Sequence, residues 1–303
     1  MKALQCEGAS ETMTIRRLWK RLAQRLGRSI QLGLRHWDNL SFRQGHVIAN
    51  RYRILQNLGM GSYGVAYLCM NTRSNRLYVL KRIHPINGGK IRAKLIYERE
   101  ISILNRLDHP CIPKLYESFY ERGHPCFTME YMEGDNLDYL LFHKGASFSE
   151  KESLLLIKKL LLVVGYVHSL GIVHRDISIA NVVLDGDETK LIDWGLAREL
   201  ITGAETIVPD EEEIETDPTE KKLRRRIHVT SDFYAIGHLL LFLLYSTYSE
   251  KEQPLPGSDL GWEKELSLHP DTKKLLRRLL MTEQPYHRVQ EILGDVDRAL
   301  HCL

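Results

Sequence analysis

The feature that most limits the fold is a change of texture near residue 131. Before it, apolar runs are short and rich in β-branched and aromatic residues; after it, they lengthen into helical periods. Tyr52–Leu55, Val65–Leu68, Leu77–Leu80 and Phe127–Tyr131 read as strands. One helical stretch, Lys94–Leu107, lies among them, with Ile96, Ile101, Leu104 and Leu107 at its apolar positions. Beyond it, helical patterns cover 150–170, 233–246 and 272–281. Strands followed by helices predict an α+β protein with two lobes. The boundaries read as an extension over 1–45, a strand-rich lobe over 46–131 and a helical lobe over 132–303. No internal repeat is present.

The extension differs from the rest. Between Thr12 and Trp37 there is no acid, while Arg16, Arg17, Lys20, Arg21, Arg25, Arg28 and Arg35 are basic. Ile15, Leu18, Trp19, Leu22, Leu26 and Ile30 recur at helical spacing. Residues 13–37 therefore read as a basic amphipathic helix, suited to an anionic membrane surface or a partner's groove, or else to packing on the chain's own domain. The net charge of +3 is too small to imply a nucleic-acid partner. The five cysteines are scattered without CxxC spacing, which supports neither a zinc site nor a disulfide framework and fits a reducing, cytoplasmic setting, peripheral to the membrane if the helix binds lipid. The N-terminus lacks a plain signal-peptide core. Leu154–Leu170, interrupted by Lys158 and Lys159, and the short Ala235–Tyr245 read as buried helices rather than membrane spans.

Gly59-Met60-Gly61-Ser62-Tyr63-Gly64-Val65 is followed by the strand-like Val65-Ala66-Tyr67-Leu68, not by a helix. That context argues against a dinucleotide-binding turn and for a glycine-rich hairpin whose amides approach an anion, although a plain flexible turn has the same look. Lys81 ends an apolar strand. Glu98 and Glu100 follow on the next helix, and two positions apart on a helix only one of them can face that lysine. Val173-His174-Arg175-Asp176-Ile177-Ser178-Ile179-Ala180-Asn181-Val182 sets polar residues between apolar runs, and Leu191-Ile192-Asp193-Trp194-Gly195 ends a further one.

In order and spacing this series resembles the signature set of the protein kinases, and the compact domain resembles the bacterial serine/threonine kinases of eukaryotic type. The resemblance covers about residues 50–300. It implies a bilobal fold with a small β-rich N-lobe and a larger α-helical C-lobe, ATP and Mg²⁺ as cofactors, and protein substrates. By the same resemblance Gly59–Val65 covers the phosphates, Lys81 binds the α- and β-phosphates, and Glu100 holds Lys81. Met129 is then the gatekeeper, and the Glu130 carbonyl and Met132 amide meet adenine. Asp176 is the catalytic base, and Asn181 and Asp193 hold the metal. Asp232 braces the catalytic loop, and Arg288 is the arginine that pairs with the APE glutamate.

Three departures bear on activity. Ser178 stands where serine/threonine kinases usually carry Lys, and Ala180 where tyrosine kinases carry Arg. No APE tripeptide is present; Glu220 lies about where its glutamate would fall, which pairs it with Arg288. Asp210–Asp217 holds six acids in eight residues, ahead of five bases in six over Lys221–Arg226. Such blocks are usually solvated, or here the acids replace a phosphate beside Arg175, so that activity would not depend on Thr202, Thr206 or Thr216. The other readings of the same residues are a nucleotide-binding pseudokinase scaffold and a small-molecule kinase.

Overall fold

A computed structural model describes residues 42–61, 64–83, 89–200, 223–224, 226–248 and 261–303. The extension helix expected over 13–37 and most of the 210–226 charge block lie outside these residues. The described residues within 42–248 and 268–303 form one structural unit. Its first half is a six-stranded antiparallel sheet of β1 (Val47–Ile48), β2 (Tyr52–Met60), β3 (Gly64–Asn71), β4 (Leu77–Ile83), β5 (Leu115–Glu121) and β6 (His124–Glu130), in the order β1-β2-β3-β4-β6-β5. Helix α1 (Gly89–Leu104) starts before the Lys94 that the sequence suggested.

The sheet curls until its two edges meet. Register shifts between Ile54 and Gln56 and between Asn57 and Gly59 mark bulges in β2, which add twist. Glu117 and Glu121 on the last strand of the order then reach the β1–β2 turn and the first residue of β2. Arg51 Nη2 donates to Glu117 at 2.6 Å, the Tyr52 hydroxyl donates to Glu117, and the Ala49 amide donates to Glu121 at 3.1 Å. The enclosed core includes Phe42, Ile48, Ile54, Tyr67, Cys69 and Leu80.

The second half is helical: α2 (Leu137–Phe142), α3 (Glu150–Ser169), α4 (Val229–Tyr245), α6 (Pro270–Leu279) and α7 (Val289–His301). The short α5 (Trp262–Glu265) belongs to a separate structural unit. The start of α3 is a capping box, in which Ser149 Oγ accepts from the Glu152 amide and Glu152 reaches back to the Ser149 amide. Both apolar stretches flagged in the sequence are core helices, with Leu160, Leu161 and Val164 buried on α3 and Ile236, Leu240 and Leu243 on α4. Among the described residues no helix is long and apolar enough to cross a membrane. Gly237 lets α4 approach α6: a Cβ there would lie 2.9 Å from Leu279 Cβ.

Between the sheet and α4 run short strands: β7 (Asp135–Asn136), β8 (Ile172–Val173), β9 (Val182–Asp185), β10 (Glu188–Leu191) and β11 (Arg198–Glu199). They pair antiparallel as β10-β9-β7 and β11-β8.

Candidate active site

Lys81 lies on β4, where successive side chains point to opposite faces. Its ammonium sits 2.6 Å from Glu100 Oε1 on α1 and 2.7 Å from Asp193 Oδ1. Burial would push the ammonium down, but the Asp193 and Glu100 charges outweigh it and hold Lys81 above the ordinary lysine value. Burial pushes the Glu100 carboxyl up against the pull of Lys81, and its Oε2 is buried with no partner. Asp193 goes the other way: Lys81 and the Gly195 amide overcome burial and hold it low, while 43% of its side chain stays exposed. Glu98, two residues from Glu100, is exposed and lies 3.6 Å from Lys94.

The hairpin β9–β10 sets the other polar groups. Val182 pairs with Leu191 at its open end, and the Ile192 amide donates to the Asn181 carbonyl at 2.9 Å. Asn181 and Asp193 therefore flank that open end. Asn181 Nδ2 donates to the Asp176 carbonyl at 2.9 Å and to Asp176 Oδ2 at 3.1 Å, fixing one carboxylate oxygen of Asp176.

Arg175 and Asp193 both adopt left-handed backbone, at φ +66° and +63°. Such strain costs on the order of 1–3 kcal/mol and persists only where the surroundings impose it. Asp232, in the first turn of α4, imposes it at Arg175. Its carboxylate accepts from the His174 amide at 2.9 Å and the Arg175 amide at 2.7 Å, with His168 Nε2 2.8 Å away. Burial would raise this carboxyl, but the hydrogen bond and charge of His168, together with His174 and the Arg175 amide, hold it below the usual aspartate range. His174 accepts the Asp176 amide at Nδ1, so its Nε2 carries the proton and donates to the Ile192 carbonyl at 3.2 Å. The His174 ring meets Trp194 edge to face at 4.6 Å.

Gly59 and Met60 close β2, opposite Ala66 and Val65 of β3. The Gly61 amide donates to the Gly64 carbonyl at 2.9 Å. Ser62 and Tyr63 lie outside the described residues. Gly64 has a packing reason of its own, since a Cβ there would stand 2.4 Å from the Arg82 carbonyl oxygen. At the end of β6, Met129 and Met132 are buried, and residues 131–133 belong to no strand or helix. Gly134, at φ +116°, lies so close to β9 that a Cβ would fall 2.2 Å from the Leu184 carbonyl oxygen.

Glu220, the Thr202, Thr206 and Thr216 hydroxyls and the acids at 211–215 lie outside the described residues. Arg288 is exposed at the start of α7, and Arg175 Nη1 donates to the Leu196 carbonyl at 3.2 Å. The sequence reading missed two residues. His168 supports Asp232, and its only sequence signal is a polar ring directly after the mostly apolar Leu160–Val167 run. Asn136 caps α2 by accepting the Tyr139 amide and donates to the Ala180 carbonyl at 3.3 Å.

Comparison with known proteins agrees with this geometry. A family model described as a protein kinase domain matches residues 52–289. The probable serine/threonine-protein kinase YbdM of Bacillus subtilis is 34% identical over 261 residues, covering 86% of this chain and 94% of that protein. Nek11 of Macaca fascicularis is 34% identical over 160 residues, covering 51% of this chain but only 25% of that kinase. The crystal structure of the M. tuberculosis PknI kinase domain superposes with a TM-score of 0.61 at 20% identity, covering 86% of this chain and 99% of that one. With a sheet-built lobe carrying Lys81, a helical lobe carrying Asp176, Asn181 and Asp193, and a family match across most of its length, the chain belongs to the protein kinase family.

Proposed function

We propose that this chain is an ATP- and Mg²⁺-dependent serine/threonine protein kinase, which transfers the γ-phosphoryl group of ATP to a Ser or Thr hydroxyl of a protein substrate. The observation that carries the reading is the Lys81 ammonium held between Glu100 and Asp193, together with Asp176 tied to Asn181. A binding scaffold needs neither a base nor two metal ligands. The name of the Bacillus subtilis relative supports the Ser/Thr acceptor.

In this reading Lys81 contacts the α- and β-phosphates and Glu100 keeps it there. The Gly59–Val65 backbone covers the phosphates, and the Glu130 carbonyl and Met132 amide meet adenine. Asp176 orients the acceptor hydroxyl and takes its proton. Asn181 and Asp193 hold Mg²⁺. They fit that ion, because both offer oxygen and the Asn181 amide nitrogen is already engaged by Asp176, which leaves its oxygen for the metal. Bound there, Mg²⁺ neutralises charge on the phosphates. Residues 46–131 and 132–303 serve as the N- and C-lobes, and the basic 13–37 segment binds an anionic membrane surface or a partner. Liposome flotation of the full chain against one lacking residues 1–45 tests that last role, and equal flotation of both would exclude it.

The activity is tested by transfer from labelled ATP with Mg²⁺, to the protein itself and to a generic basic protein acceptor. Loss of transfer in both Lys81→Met and Asp176→Asn is the expected result. Absence of transfer in the unsubstituted protein, with ATP still bound, would overturn the reading and favour a scaffold.

A further inference from the structure

Residue 42 precedes the start of the family match at 52, yet Phe42 is built into the N-lobe core. Its ring lies 4.3 Å from the Arg82 guanidinium, stacks on Tyr67 at 5.7 Å and meets His124 edge to face at 6.4 Å. Arg82 is the neighbour of Lys81 on β4. Strand alternation sends Lys81 to Glu100 and Asp193, and Arg82 to the opposite face, inside the curled sheet. There Arg82 is 1% exposed. Burial works against its charge, and the face of an aromatic ring is one of the few apolar surfaces that favours a cation.

The position of Arg82 bears on two nucleotide-facing elements at once. Its backbone carbonyl is the group that Gly64 approaches so closely that a Cβ would stand 2.4 Å away. In the ladder Arg82 pairs with Val65, at the exit of the glycine hairpin, and with Cys126 on β6, while Lys81 pairs with Ala66 and Phe127. A shift of Arg82 therefore moves both the lysine and the glycine hairpin. The segment that carries Phe42 is pinned independently, by Ile48 in the core and by the Ala49 and Arg51 bonds to β5.

We propose that Phe42 is a positioning residue for nucleotide binding: its ring holds the Arg82 guanidinium and so sets the register of Lys81 and Gly64 toward the phosphates. The inference rests on the kinase reading of Lys81. It places part of the ATP-holding apparatus outside the segment that defines the family.

The test uses the full chain, with Mg²⁺-dependent binding of a fluorescent ATP analogue and transfer kinetics for Phe42→Tyr, Phe42→Leu and the double variant Phe42→Leu/Arg82→Met. Phe42→Leu keeps apolar volume but removes the π face, and is expected to weaken nucleotide affinity about fivefold, the order of a desolvated cation–π contact partly transmitted, and to raise KM for ATP with kcat within about twofold. Phe42→Tyr is expected to bind as the unsubstituted protein does. Removing the charge removes the need for the ring, so the double variant is expected to regain affinity. Unchanged affinity in Phe42→Leu would overturn the inference, as would kcat and affinity falling only in step with folded fraction by circular dichroism, or a double variant no better than the single one. Failure of the unsubstituted chain to bind the nucleotide would overturn the kinase reading, and this inference with it.

Discussion

Replacing Trp194 by Phe puts the packing of the 193–195 turn to a direct test. Trp194 is 1% exposed, its ring meets His174 at 4.6 Å, and its indole Nε1 is buried with no hydrogen-bond partner. A buried donor left unpaired costs about 1–3 kcal/mol. Shrinking the ring leaves a small void, and a one-step reduction of a core side chain costs about 1 kcal/mol. The two effects oppose each other, so Trp194→Phe is expected to leave stability unchanged or raise it by up to about 2 kcal/mol. For a chain of this size each 1 kcal/mol moves the melting temperature by about 2–4 °C. Thermal unfolding followed by circular dichroism, with ATP-dependent transfer measured in parallel, reads both effects. A destabilisation beyond about 2 kcal/mol would refute the reasoning, because it would mean that the indole nitrogen contributes a bond.

Glu100→Gln keeps the shape of the Lys81 partner and removes its charge; kcat/KM is expected to fall on the order of a hundredfold, and a loss within threefold would contradict the assigned role. The Asp232 carboxyl is held low in the folded protein, so its contribution is present above the ordinary aspartate value of about 3.9 and is lost as pH falls through the lower folded value. The melting temperature of Asp232→Asn should therefore lie well below that of the unsubstituted protein at neutral pH, with the gap narrowing below about pH 4; a gap independent of pH would refute the linkage. Gly237→Ala sets a Cβ 2.9 Å from Leu279 Cβ and should cost about 1–3 kcal/mol by denaturant unfolding, with no selective change in KM.

Elements whose signal is local were legible, and those made by distant partners were not. The runs Tyr52–Leu55, Val65–Leu68 and Leu77–Leu80 fall within β2, β3 and β4, and Phe127–Tyr131 overlaps β6 but runs one residue past its end at Glu130. Strand β5, which the sequence reading does not contain, has Glu117 and Glu121 at positions that an apolar strand would fill. Its side chains in fact alternate between half-buried and exposed, and those two glutamates close the sheet against residues 65 to 72 positions away. The hairpin β9–β10 was missed although Asp185-Gly186, with Gly186 at φ +53°, is a turn signal after the apolar Val182–Leu184, because the returning strand opens with the polar Glu188-Thr189-Lys190. His168 had only the faint signal of a polar ring after an apolar run, because the partner that gives it a role, Asp232, is 64 residues away.

The candidate site follows the same division. Lys81, Asp176, Asn181 and Asp193 each stand out by their neighbours in sequence, whereas what holds them spans the chain: Lys81 and Asp193 are 112 residues apart, and Arg175 and Asp232 are 57. One consequence separates loop length from register. The turn at 186–187 lies at the far end of the hairpin from Asn181 and Asp193, and lengthening an exposed loop costs little. A one-residue slip between β9 and β10 reverses every side chain of one strand and carries Asn181 or Asp193 away from the open end. Two glycines inserted after Gly186 should therefore preserve phosphate transfer to within a few-fold, whereas deleting Val183 should abolish it even in protein that remains folded by circular dichroism. If the deletion were tolerated, the pairing of Val182 with Leu191 would not be what sets the two oxygen donors.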